Sequence, residues 1–376
     1  MKEFSIGAYY FPGYHCDPRN DARHGRGWTE WNLVRQATPR FAGHVQPLVP
    51  AWGYEDEADP VAMARKIDAA ADHGLDFWIF DWYWYDNKPF LNRCLDEGFL
   101  KAPNSRRMQF CLMWANHDWI DLHPHKKNGR GETLFQGKVT TDIFNTITDH
   151  VVQVYFRHPG YYKIGGRPYY SFYDLGKLVE SFGSVPATRA ALDRFRQKAR
   201  AAGFPDLHLN AVAWGQPILP GETTPANTAE LVRGLGFDSV TSYVWVHHVD
   251  LDQSPYTPYT TVRDRYNTYW DTTRAMFMIP YFPNVTMGWD STPRTVQSDV
   301  WEPVGYPYTN LLGGNTPEQF RHALAIAKAR MAGAKTKIMT INAWNEWTEG
   351  SYLEPDSING MRYLEAIRDV FGVPKL

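Results

Sequence analysis

Lys337-Ile338-Met339-Thr340-Ile341-Asn342-Ala343-Trp344-Asn345-Glu346-Trp347-Thr348-Glu349-Gly350 opens as an apolar, β-branched run and closes on two glutamates set among tryptophans. Its first half lacks the polar alternation of a half-exposed sheet, so it reads as a strand buried on both faces. Its second half places acid–base groups at that strand's C-terminal end. Seven further runs share the plan: Phe4 to Tyr10, Leu75 to Trp82, Met108 to Trp114, Arg167 to Tyr173, Leu207 to Ala213, Phe237 to Tyr243 and Met276 to Phe282. Helical stretches alternate with them at Asp59 to His73, Thr141 to Phe156, Pro186 to Ala202, Thr316 to Ala332 and Asn359 to Phe371. Thr316-Pro317-Glu318 has the form of a helix start, and Gly74 and Gly203 stand where helices should stop.

Eight strand–helix units in 376 residues predict an α/β fold. The expected architecture is one (β/α)8 barrel with elaborated βα loops, filling residues 1–376 as a single domain. An open doubly wound sheet is disfavoured because no G-x-G-x-x-G follows the first strand. An apolar content of 43% excludes wholesale disorder. The formal net charge is −2 with no run of like charges, which argues against a nucleic-acid partner or an anionic lipid surface. No stretch approaches 18 apolar residues, so no membrane span is expected. Met1 to Ile6 enters a strand pattern without a secretory core, which gives a cytoplasmic expectation for the chain as it stands.

In a barrel of this kind, the ends of the strands that matter chemically are the C-terminal ones. Nearly every one carries Trp or Tyr beside a hydrogen-bonding group. Aromatic faces with polar neighbours fit a sugar ring, which has an apolar C–H face and a hydroxyl edge. The candidate sugar-binding residues are Tyr9 and Tyr10; Asp81, Trp82 and Trp84; Trp114, Asn116, His117 and Asp118; Tyr173; Trp214; Tyr243; Tyr281 and Trp289; and Asn342, Trp344 and Asn345. The expected partner is therefore an oligosaccharide or polysaccharide. Asp290 to Arg294 and the Thr-rich loop from Thr257 to Thr261 are candidate covers for the cleft.

Glu346 and Glu349 are the candidate catalytic pair. If the chain turns helically there, i and i+3 share a face. Two carboxyls in one aromatic cleft repel, so one should keep its proton at neutral pH, as an acid/base pair requires. The competing reading is a capping glutamate with a solvated neighbour. Asp81 is read about evenly as a sugar contact or as a hydrogen-bonded support. No metal or other cofactor is expected. His123-Pro124-His125 and His247-His248 have no third ligand at a metal spacing, and Cys16, Cys94 and Cys111 form no metal-binding pair. Asp250-Leu251-Asp252 is the single D-x-D motif, and no basic cluster surrounds it.

The chain resembles the WbsX-like proteins, which group with glycoside hydrolase family 99. The resemblance is carried by Ala8 to Pro12, Gly27-Trp28-Thr29-Glu30-Trp31-Asn32, Pro39 to Pro50, Trp114-Ala115-Asn116, Gly165 to Pro168, Met287 to Arg294, and Ile341 to Gly350 through Leu353 to Asp356. It implies a (β/α)8 barrel and, by the family 99 pattern, a retaining hydrolase of α-linked, mannoside-like glycans. By that match Glu346 deprotonates the sugar 2-hydroxyl, which closes on C1 to give a 1,2-anhydro sugar, and Glu349 protonates the leaving oxygen. Thr348 stands where family 99 mannosidases have His, and Asn116-His117-Asp118-Trp119 where relatives read N-E-N-W, two departures that leave room for a substrate other than mannan. The alternatives are a glycosyltransferase of polysaccharide synthesis and a non-catalytic carbohydrate-binding barrel.

Overall fold

The computed structural model describes residues 3–372. Met1 and Lys2, part of the N-terminal stretch read for a leader, lie outside the described residues. The barrel strands are Ser5–Tyr10, Phe77–Tyr85, Gln109–Trp114, Arg167–Phe172, His208–Val212, Ser239–Thr241, a seventh in two pieces (Tyr281–Phe282 and Asn284–Thr286), and Ile338–Asn342. All neighbours in this ring are parallel. The division of the seventh strand follows from Pro283, which has no N–H for the ladder. Tyr281–Phe282 pairs back to Ser239–Thr241, and Asn284–Thr286 pairs forward to Ile338–Asn342. The Pro283 carbonyl accepts from Thr340 N at 2.9 Å, so the ring closes. The α/β barrel expected from the sequence is the fold.

The helices lie outside the ring. Pro60–Asp72, Thr141–His150, Pro317–Arg330 and Arg362–Phe371 fall within the predicted stretches, and Val185–Ala201 matches its stretch to within a residue. Their starts are capped as the sequence implies: Asp59 accepts from Val61 N, and Thr316 from Gln319 N. One boundary is corrected. Met276 and Phe277 belong to the end of a long helix, Tyr259–Phe277, and the seventh strand begins only at Tyr281. Tyr256–Pro258 pairs with Leu311–Gly313 as a short strand, so the Thr257–Thr261 segment is strand and helix start, not a loose cover.

Side chains alternate in and out along each strand, and this decides what reaches the barrel mouth. The second strand is buried along its whole length. Its odd-numbered residues Asp81 and Tyr83 face the cleft. Its even-numbered tryptophans face the helical layer: Trp78 packs on Phe99, and Trp82 and Trp84 on His150. Among the described residues no helix is long and apolar enough to cross a membrane.

Candidate active site

The segment that ends the last strand is a tight hairpin. Asn345–Glu346 pairs antiparallel with Ser351–Tyr352, and Trp347–Glu349 between them forms a single 3₁₀ turn. Three residues per turn superpose i and i+3, so Glu346 and Glu349 project together into the cleft, as their spacing implies. Gly350 closes the turn at φ +63°, and an added Cβ there would lie 2.6 Å from Asp290 Cβ. No L side chain fits that position without strain.

Behind the hairpin sits a sealed charge cluster. Lys66 Nζ lies 2.7 Å from Glu57 Oε1 and 2.6 Å from Glu354 Oε1, all three fully buried. Asn345 Nδ2 donates to Glu57 and to the Phe11 carbonyl, while Phe11 N donates to Asn345 Oδ1. Trp347 Nε1 donates to Glu354 Oε2 at 2.8 Å. The residues on either side of Glu346 are thus pinned to the barrel wall. Burial, opposed by Lys66, lifts Glu57 to about 7.

In front lies a cleft of about 730 Å³, mouth included. Its charge centre is Arg294, placed by the loop after the seventh strand. Its guanidinium lies 2.7 Å from Glu349 Oε1, 3.3 Å from Glu30 Oε2 and 3.7 Å from Glu346 Oε2. Burial opposes the charge on Glu30, but Arg294 and then His123 outweigh it and hold Glu30 down at about 2. Thr348 Oγ1 also donates to Glu30, at 2.6 Å. One cation with Glu30 already ionised cannot neutralise two more buried carboxylates. Burial raises both Glu346 and Glu349, and their mutual repulsion adds to the rise at Glu346. Both carboxyls are thus biased toward the protonated form, and a proton on one relieves the repulsion on the other. Arg294 and Tyr306 both donate to Glu349 Oε1, which leaves Oε2 for the cleft. Tyr243 OH stands 2.9 Å from both Glu346 Oε1 and Asp81 Oδ2.

Of the residues expected at the sugar, Asp81, His117, Asp118, Tyr173, Tyr243 and Trp289 line this cleft with the two glutamates. The others lie off it, and each for a visible reason. Trp82, Trp84 and Trp114 are on the outward phase of their strands, Trp114 against Phe144. Tyr10 faces outward onto Trp78 and Phe80, and Trp344 is sealed against Trp78. Tyr9 lies beneath Tyr243, its ring 4.6 Å away. Asn116 is spent on the Asp174 backbone through two hydrogen bonds. Trp214 supports Tyr173 and His247, and Tyr281 bonds Ser242 and Tyr266. Asn342 is fully buried and absent from the cleft wall, and Asn345 belongs to the rear cluster.

Several residues in the cleft wall or hydrogen-bonded behind it escaped the reading by type. Arg294 and Glu30 lie inside the strings that carry the family resemblance, so their signal was present but taken as scaffold. Tyr83 follows from the two-residue period once Asp81 is placed inward. Glu222 has no sequence signal. It accepts from Tyr173 OH at 2.6 Å and from the Ile218 and Leu219 amides. Burial opposes its charge, but His247 and Tyr173 hold it at about 2. Among the described residues His24, Asp121 and His123 bring ligand atoms within 4.8 Å of one another. Arg23 already neutralises Asp121 at 2.6 Å, and His123 Nε2 faces Glu30 at 3.2 Å, so the set is committed to protein partners. In the D-x-D motif, Asp252 is paired with Arg265, and neither aspartate lines the cleft.

Among solved structures the fold is similar to the GH99 endo-alpha-mannosidase from Bacteroides thetaiotaomicron, with TM-score 0.54, 13% identity, and coverage of 99% of this chain and 97% of that one. A protein described as glycoside hydrolase-like gives TM-score 0.61 at 15% identity, covering 99% and 94%. The beta-glucosidase from Thermotoga maritima gives 0.52 at 10%, covering 100% and 99%. At these identities the likeness concerns the barrel. By sequence, the chain is 30% identical over 384 residues to the uncharacterized protein WxcX of Xanthomonas campestris pv. campestris, covering 97% of this chain and 49% of that protein. The chain thus spans about half the length of the curated relatives it matches. Together with a family model that covers residues 6–367, these matches make the chain a member of the family described as Glycosyltransferase WbsX.

Proposed function

We propose that the chain is a glycoside hydrolase that cleaves an α-linked, mannoside-like glycan with retention, using Glu346 and Glu349. The observation that carries this reading is the pair of buried carboxyls that project together into an aromatic-walled cleft at the barrel mouth, both with raised proton affinity. Such an arrangement serves an acid and a base at once. Glu346 Oε2 has no hydrogen-bond partner and takes the proton of the sugar 2-hydroxyl. O2 then bonds to C1 as the C1–O glycosidic bond breaks, and the leaving oxygen takes the proton of Glu349. Arg294 and Tyr306, already on Glu349 Oε1, stabilise the carboxylate so formed. In the second half Glu349 takes a proton from water, the water oxygen bonds to C1 as the C1–O2 bond breaks, and O2 recovers its proton from Glu346. Two displacements at C1 give net retention.

The barrel likeness to glycoside hydrolases supports this reading. The family's description favours transfer from a nucleotide sugar instead. That reaction needs cations for a diphosphate, and Arg294, the arginine of the cleft wall, is committed to carboxylates. The test is product stereochemistry by proton NMR on a cleaved α-glycan, with a 2-deoxy analogue alongside. The α-anomer should form first and the analogue should stay intact. A β-anomer, or cleavage of the analogue at the parent rate, would remove the 2-hydroxyl mechanism.

A further inference from the structure

We propose that Asp81 is a positioning residue that stands protonated and gives its proton to the Tyr243 hydroxyl, so that Tyr243 gives its own to Glu346. The geometry is one of proton count. The Tyr243 oxygen lies 2.9 Å from Asp81 Oδ2 and 2.9 Å from Glu346 Oε1. A hydroxyl has one proton and can point squarely at only one of two oxygens at 2.9 Å. The other contact is a full hydrogen bond only if it runs toward the tyrosine oxygen, and only a neutral carboxyl can make it so.

The surroundings decide which carboxyl that is. Arg294 reaches Glu346, Glu349 and Glu30, while among the described residues Asp81 has no cation beside it. The titratable groups facing Asp81 are Tyr9, Tyr83, Tyr243 and, further off, Glu349, none of which supplies positive charge. Asp81 is 4% exposed. Burial, with the Glu349 charge adding to it, pushes its proton affinity up against the Tyr243 hydrogen bond, in agreement with the geometry. With Asp81 neutral, Glu346 Oε1 accepts the Tyr243 O–H hydrogen bond, Glu346 stays ionised, and its Oε2 remains without a hydrogen-bond partner. That hydrogen bond, with Arg294 at 3.7 Å, favours the ionised form of Glu346 that a base needs, against the burial and the Glu349 charge that push its proton affinity up. The relay thus biases Glu346 toward the base before any sugar arrives. This assignment rests on the hydrolase reading for its use, while the proton on Asp81 does not.

The test is infrared difference spectroscopy at neutral pH on wild type, Asp81→Asn and Glu346→Gln. A neutral-carboxyl C=O band should be lost in Asp81→Asn and retained in Glu346→Gln. Loss in Glu346→Gln with retention in Asp81→Asn would overturn the proposal, as would the absence of any such loss in Asp81→Asn. Should Asp81→Asn fail to fold, Asp81→Ser serves in its place: loss of the band supports Asp81 and its retention refutes it. Kinetics add a second readout. An asparagine N–H still donates to Tyr243 and an alanine does not, so kcat should fall at least ~10-fold further in Asp81→Ala than in Asp81→Asn, the scale of one hydrogen bond to a charged network, with KM little different. Equal losses would mean that the aspartate acts as a charge. The band on Asp81 without hydrolysis of any glycan would uphold the relay and count against the hydrolase reading.

Discussion

Two buried charge clusters stand back to back across the hairpin Asn345–Glu349. Each has one long cation and two or three glutamates. Behind the hairpin, Lys66 meets Glu57 and Glu354, and Asn345 and Trp347 supply further donors to those carboxylates. In front, Arg294 meets Glu30, Glu346 and Glu349, yet Glu346 Oε2 and Arg294 Nε are left without hydrogen-bond partners. The residue types are alike. What differs is saturation and access to open space: the rear cluster is closed, and the front one keeps valences free at a cleft. A filled ion network fixes a hairpin, whereas an unfilled one is positioned to move protons.

Removing a valence from the front cluster should have the largest effect. Glu349→Gln should lower turnover by roughly 10²–10⁴-fold, the usual cost of losing general acid–base catalysis, while unfolding by denaturant stays close to wild type. It should also flatten the alkaline limb of the pH–rate profile, because wild type loses the Glu349 proton there. A comparable loss from Lys66→Met at equal folded concentration would erase the distinction between the clusters.

Next come the cations. Arg294→Met and Lys66→Met each strand buried carboxylates, and each should cost about 3–5 kcal/mol in equilibrium unfolding. For Lys66→Met the loss should shrink on acidification. Glu57 already sits at about 7 in the wild type, above its ordinary 4.5. Its ionisation therefore subtracts stability as pH rises from about 4.5 to 7, and nothing below that window.

The acid side behaves in the opposite sense. Glu30 and Glu222 are held at about 2, below the ordinary 4.5. Their contribution is complete above about 4.5 and is lost as pH falls toward 2, about 3 kcal/mol for each. Glu222→Gln should remove its share of that acid sensitivity, and an unchanged slope of stability against pH in the variant would refute the assignment.

Much of this was legible in the sequence. The strand–helix alternation predicts the barrel, because buried parallel strands and amphipathic helices have different periods. The i, i+3 spacing predicts two glutamates in one cleft. The two-residue period was the information left unused: at the rim of the second strand, Asp81 and Trp82 read alike as polar and aromatic candidates, and only the phase of the strand sends one inward and the other out. Asn116 and Asn345 show a second obstacle. Their amides are consumed by backbone partners far along the chain, at Asp174 and Phe11, which no local pattern announces. Arg294 and Glu30 lie 264 positions apart, and they become one site only when the ring closes.

The most direct measurement is the release of new reducing ends from a panel of α-linked glycans, α-mannans and bacterial polysaccharides, with water as the only acceptor and no nucleotide sugar present. Hydrolysis by the front cluster predicts release by the wild type that Glu349→Gln abolishes. Release at the same rate from both proteins, or sugar transfer seen only when a nucleotide sugar is added, would contradict it.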